Sequence, residues 1–177
     1  MSTLLSAGIN AQARFTYDQL ITGLNNSENA SNFVKQISFA NGGGAGQCDF
    51  VYCNALSIAA SATTTLALAG GALLDPLNLA FTAVRVKSAL LWLVGTGDTL
   101  PDGTIGTACT SVKMSGLNGS GGFIDGTSPF MRAFNSGFAA FGVGNAAGVT
   151  SGLSLAITNE DSVNAALVLL AVFGAKE

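Results

Sequence analysis

The chain contains no histidine, and charged residues make up only 10% of its 177 positions. Without imidazole there is no Ser-His-Asp or Cys-His activation of a nucleophile. Zinc sites built on histidine are excluded too. Soluble domains usually carry about 25% charged residues, so this chain has few ionic groups with which to cover an isolated globule. Arg132 and Glu160 bracket an uncharged stretch, and between Asn54 and Val84 the only charge is Asp75. Such a surface suits a subunit that rests against copies of itself or other subunits. The composition therefore points to a structural assembly protein before an enzyme.

Basic clusters are also missing. The formal net charge is −3, and the seven Lys and Arg residues are scattered. A nucleic-acid surface needs clustered cations to displace counterions, so no nucleic-acid partner is expected. No membrane span is expected either, because a spanning helix needs about 20 apolar residues without charge. The run 162–175 is too short, 79–94 carries Arg85 and Lys87, and 56–74 is interrupted by Ser, Thr and Gly. The first fifteen residues lack the charged start and apolar run of a secretory signal. Cysteine is scarce and odd in number: Cys48, Cys53 and Cys109. An odd count does not make a complete disulfide framework, and buried free thiols are the expected state.

What is present is a rhythm. From about residue 48, short runs rich in Val, Leu, Phe, Thr and Ala alternate with Gly, Asn, Asp and Pro. That spacing predicts an all-β sandwich or barrel over 48–177. Strands are expected at 48–53, 55–59, 62–69, 80–94, 105–114, 138–143, 150–158 and 164–173. The run 165–173 is continuously apolar, as in a strand buried on both faces. A buried helix gives the same run, but its valines and the Gly174 stop favour a strand. Trp92, within the apolar run 89–94, is expected in the core.

Residues 1–47 read as an N-terminal arm and a Gly-rich connector. Phe15, Leu20, Ile21 and Leu24 have the spacing of a short helix, broken by the polar run 25–29. Residues 33–39 alternate as a strand, and Lys35 marks it as edge-like. The glycines of 41–46 permit positive φ. They lack the Gly-Lys-Ser/Thr ending of a phosphate loop. The arm either folds back on its own domain or is held by a neighbouring subunit.

The acidic residues are the remaining candidates for chemistry. Asp98 and Asp102 stand in a Gly-flanked turn, where they act as turn formers or as partial calcium ligands. Glu160-Asp161 reads as a solvated hairpin tip. No catalytic residue, cofactor or metal site is expected. The residues expected to anchor interfaces are Phe15, Tyr17, Leu20 and Ile21 in the arm, and Phe130, Met131 and Phe134 in the loop-rich region 115–137. Phe123 and Phe138 punctuate the same region. In a single copy such side chains would plug the sandwich mouth; in an assembly they would meet a partner.

Part of the chain resembles a group of small phage virion proteins. The matching residues are Thr64-Thr65-Leu66-Ala67-Leu68-Ala69-Gly70-Gly71, Leu74-Asp75-Pro76-Leu77 and Phe81-Thr82-Ala83-Val84-Arg85-Val86-Lys87, with Leu153–Asn159 and Ala166–Leu170 near the end. They are similar to two strands flanking a tight connection and to a later hairpin that closes the sheet. The resemblance covers about 55–94 and 147–174, and leaves out the arm and the region 115–147. It implies a jelly-roll-like β-sandwich with an N-terminal arm, on a virus particle assembled in the host cytoplasm. The role it implies is capsid decoration (cement) or minor head protein. The partners would be other copies, by analogy a trimer, and the major capsid protein or other virion proteins. A small jelly-roll shell subunit and a carbohydrate-binding module of a tail or fibre are the alternatives.

Overall fold

Phe50 opens a two-layer arrangement of antiparallel strands, described here from a computed structural model. It describes residues 6–19, 27–44, 46–68, 71–74, 80–81, 85–115, 131–142 and 154–175, with the backbone alone for 6–37, 81, 141 and 142. The strands in chain order are β1 (Ser6–Gln19), β2 (Ser27–Asn41), β3 (Gln47–Cys48), β4 (Phe50–Ile58), β5 (Thr63–Ala67), β6 (Leu73–Leu74), β7 (Ala80–Phe81), β8 (Arg85–Leu93), β9 (Ser111–Ser115), β10 (Met131–Phe134), β11 (Phe138–Gly142), β12 (Ser154–Asn159) and β13 (Ala166–Ala175). No helix occurs among the described residues.

Two four-stranded sheets form the sandwich, in the orders β10-β9-β12-β5 and β11-β8-β13-β4. Strand parity explains the core between them, since alternate residues face one side. Val168, Leu170 and Val172 of β13 oppose Leu93, Leu91 and Ala89 of β8. All six are buried and face inward. The other sheet contributes Leu155 and Ile157 of β12, Val112 and Met114 of β9, and Met131 and Ala133 of β10. β13 lies between β8 and β4 and is buried along nearly its whole length. Its run of apolar residues at both parities therefore has the cause read from the sequence. These eight strands make an all-β sandwich; β1, β2 and β3 form a separate three-stranded sheet, and β6 and β7 a two-stranded one.

Several boundaries differ from the sequence reading. The expected strands 48–53 and 55–59 are one strand, β4. Of 105–114 only the end is a ladder strand, because the preceding residues close turns through Gly106 N–H to Asp98 O and Thr107 N–H to Val94 O. Gly106 has no room for a Cβ, which would stand 2.1 Å from the Gly95 carbonyl oxygen. β12 and β13 belong to different sheets, so they cross between layers and are not a hairpin within one sheet.

The arm departs most. Residues 15–19, expected to start a helix, are the end of β1, paired antiparallel with β2 from Ser6↔Ala40 to Gln19↔Ser27. The cause is legible afterwards: Ala7, Ile9, Ala11, Ala13, Phe15 and Tyr17 alternate with polar residues, a period of two. β2 pairs with β3 only at Ala40 and Asn41, so at Lys35 its second edge meets no described strand. The glycine connector is a hydrogen-bonded turn, with Gln47 N–H donating to Gly44 O and Gly44 N–H to Gln47 Oε1. Gly42 and Gly46 have φ of 136° and 67°, values that favour glycine.

Candidate interaction surface

The two sheets present opposite chemistry to the outside. On the β10-β9-β12-β5 sheet, register aligns Arg132, Lys113, Thr158 and Thr63 across all four strands. Ser115, Ala156 and Thr65 form a neighbouring row. This face is bound by side-chain polar contacts. Arg132 Nη2 donates to Glu160 Oε1 at 2.8 Å, Lys113 Nζ stands 3.7 Å from the same oxygen, and Ser111 Oγ donates to Oε2 at 3.2 Å. Partial burial pushes the Glu160 carboxyl up, but the Arg132 and Ser111 hydrogen bonds and the two cations hold it below its ordinary value.

On the β11-β8-β13-β4 sheet, register aligns Phe138, Trp92, Leu169 and Ala55. The next row is Ala140, Leu90, Ala171 and Cys53. No charged or hydroxyl side chain stands in either row. The chain covers the two ends of this face itself. At one end Phe39 and Cys48 pack on Ala171 and Phe173, with the Phe39 and Phe173 rings 5.8 Å apart. At the other, Leu100 and Val94 pack on Leu167, beside Trp92 and Leu169. Between them Phe138 remains 56% exposed, and Ala140 and Cys53 are exposed. Trp92 is therefore not in the sandwich core. Its parity places it opposite Leu169 on the outside, where it is half-buried.

A polar network closes one end of the sandwich. Asn159, 1% exposed, donates through Nδ2 to Ile58 O, Ala59 O and Asn164 O. Its Oδ1 accepts from Asp161 N–H and from the Cys109 thiol. Asp161 accepts from the backbone N–H groups of Asn164, Val163 and Thr110, and from the Asn164 side chain. These donors hold its carboxyl well below the usual carboxylate range. The pair read as a solvated hairpin tip is thus a structural cap. Buried Asp161 orders the β12–β13 connection, and Glu160 gathers the cations of the polar face.

The sequence-selected anchors are spread over the molecule. Phe15 and Tyr17 occupy register positions opposite Ser31 and Asn29 on the β1–β2 ribbon. Leu20, Ile21 and Phe130 lie outside the described residues, as does Phe123. Met131 is spent on the core of its own chain, opposite Met114. Phe134 ends β10 and is 62% exposed. The sequence reading missed Trp92, Leu169 and Leu90 as surface residues, because parity along one strand does not say which face is inward.

The chemistry-bearing residues are accounted for by structure. Asp98 Oδ2 accepts from Gly95 N–H, and Asp102 Oδ1 from Thr104 N–H, so each carboxylate closes its own turn. Among the described residues no group of three or more Cys, Asp or Glu stands where it could hold a metal ion. The three cysteines are free thiols. Burial, with the Asp49 charge, pushes the Cys48 thiol up to about 11. Burial raises Cys109 as well, while Cys53, against the expectation of burial, is exposed, and desolvation by its neighbours still raises its thiol. No protein-family model matches the chain, and no curated protein or solved structure is significantly similar to it.

Proposed function

We propose that the chain is a structural subunit of a virus particle, most simply a capsid decoration (cement) or minor head protein that acts by burying apolar surface between subunits. The observation that carries this reading is the apolar outer face of the β11-β8-β13-β4 sheet. A contiguous apolar patch on a sheet marks an interaction surface rather than a solvated one. The strand order supports it. Leaving aside β6 and β7, the eight strands from β4 to β13 place the first beside the eighth and the second beside the seventh. We read that order as a jelly roll, an architecture that viral shell and lectin domains share. It is a fold-level analogy and gives a setting, not an activity. The matching segments 64–71 and 153–159, similar to the phage virion group, fall largely on the adjacent strands β5 and β12. The mechanism is mass action: a subunit that binds only the assembled shell stabilises that shell.

One observation favours a second reading. Phe138 and Trp92 are register partners on an exposed sheet face, as in an aromatic platform for sugar rings. The two central rows offer only the Trp92 indole N–H and the Cys53 thiol as side-chain hydrogen-bonding groups, with the hydroxyls of Ser57 and Ser88 in the flanking rows. Sugar hydroxyls buried there would lose water with little compensation, so a protein surface fits better.

Two measurements test the proposal together. Sedimentation equilibrium of the purified chain should show association that grows with concentration, and antibody labelling should place the chain on particles. A single copy at every concentration that also fails to attach to particles overturns it. Glycan-array binding lost on Trp92→Ala substitution would establish the sugar reading instead.

A further inference from the structure

Resting on the assembly reading above, the geometry points to the occupant of the apolar sheet face: we propose that it is covered by the β1–β2 ribbon of a second copy of the chain. Four observations carry this. First, β1 and β2 pair along the whole 14-residue length of β1, a ribbon about 45 Å long at ~3.4 Å per residue. A two-stranded ribbon is at best marginally stable alone in water, so it needs a surface to lie on.

Second, the register sorts its residues. Ala7, Ile9, Ala11 and Ala13 stand opposite Phe39, Ile37, Lys35 and Phe33, so one face of the ribbon collects the apolar positions, with Lys35 as its single charge. Third, the two surfaces already meet once within the chain. Phe39 belongs to that same ribbon face, and it packs on Phe173 of the sheet's outer face. With the chain's own ribbon in place, Phe138, Ala140 and Cys53 are still exposed. The covering contact stops at one end of the face, and a second ribbon continues it.

Fourth, the areas suffice. The two uncovered rows across four strands present roughly 260 Å² at ~4.8 Å between strands and ~6.8 Å between rows, and one ribbon face is long enough to cover them. A reciprocal pair in which each copy gives a ribbon and a face reaches about 520 Å² per partner, roughly 1,000 Å² in all, the lower bound for a specific interface. Each contact is between unlike surfaces, so the pair closes by exchange of arms, not by face against face.

Two full-length double variants separate the surfaces. Phe138→Asp with Ala140→Asp breaks the face at exposed positions. Ile9→Asp with Ile37→Asp breaks the ribbon at a register pair. Each alone should associate about 30-fold more weakly than the parent, the scale of interface hot spots. Mixed in equal amounts, they should form a one-to-one pair by native mass spectrometry, because one retains a ribbon and the other a face. Cys53 lies in the face, so its maleimide labelling should be about tenfold slower in the associated parent than in the face variant, following access.

Association of both variants equal to the parent's overturns the ribbon-on-face contact while leaving the assembly reading intact. So does a mixture that fails to pair, the result of a face that meets its own kind. A Cys53 rate in the associated parent equal to that of the face variant overturns it independently of how either variant folds. A parent that never associates overturns the proposal, and failure to attach to particles then removes the assembly reading as well.

Discussion

The inner faces of the two sheets are alike and their outer faces are opposite. Leu155 and Ile157 on one side and Leu170 and Val172 on the other serve the same core. Outside, one sheet ends in Arg132, Lys113 and Thr158, and the other in Phe138, Trp92 and Leu169. A core explains only the first pair of faces. A β-sheet that faces water on one side alternates apolar-in and polar-out, which β12 does and β13 does not. One sheet thus has an outer face suited to water, while the other carries apolar residues on both of its sides.

The comparison can be broken most forcefully from inside. Leu170→Ala and Leu155→Ala should each cost about 2–5 kcal/mol, the range for large-to-small core changes, in urea unfolding. A cost below that range at either position would mean that its sheet is not a full wall of the core. Acid comes next. Asp161 has its folded pKa depressed, so its contribution is fully present above the unfolded value of about 3.9 and is lost as pH falls below it. Glu160 acts in the same direction. Stability should therefore drop between about pH 4 and 2, and Asp161→Asn should flatten that drop in urea midpoints measured across the range. The outer faces give the smallest effects and the sharpest contrast. Trp92→Ala should cost about 2 kcal/mol, because most of its surface is covered by its own chain although it lies outside the sandwich core. Lys113→Ala should stay within about 0.5 kcal/mol, as for an exposed ion pair. Equal costs at the two positions would erase the distinction between the faces.

Much of the sandwich was legible because its strands obey simple patterns. Ser154–Asn159 alternates, and Ala166–Ala175 is apolar at both parities. The ribbon was misread because two periods competed. Phe15, Leu20, Ile21 and Leu24 fit a helix, while the alanines that carry the strand period are weak hydrophobic signals. β10 was missed because four residues beside a glycine-rich stretch are too few to show a period. Met131 looked like an anchor for the same reason, with nothing in its neighbourhood to reveal an inward parity. The apolar outer rows lie beyond any local reading. Phe138, Trp92, Leu169 and Ala55 come from four strands, and only register brings them into line.

The carboxamide of Asn159 ties together the carbonyls that follow β4, the lead-in to β13 and the thiol of Cys109. Its neighbour Asp161 anchors three further amides. Such a node has no partly broken state in which its buried polar atoms remain satisfied. That end of the protein should therefore exchange its amide hydrogens as a single cooperative unit, opening only when the two layers separate.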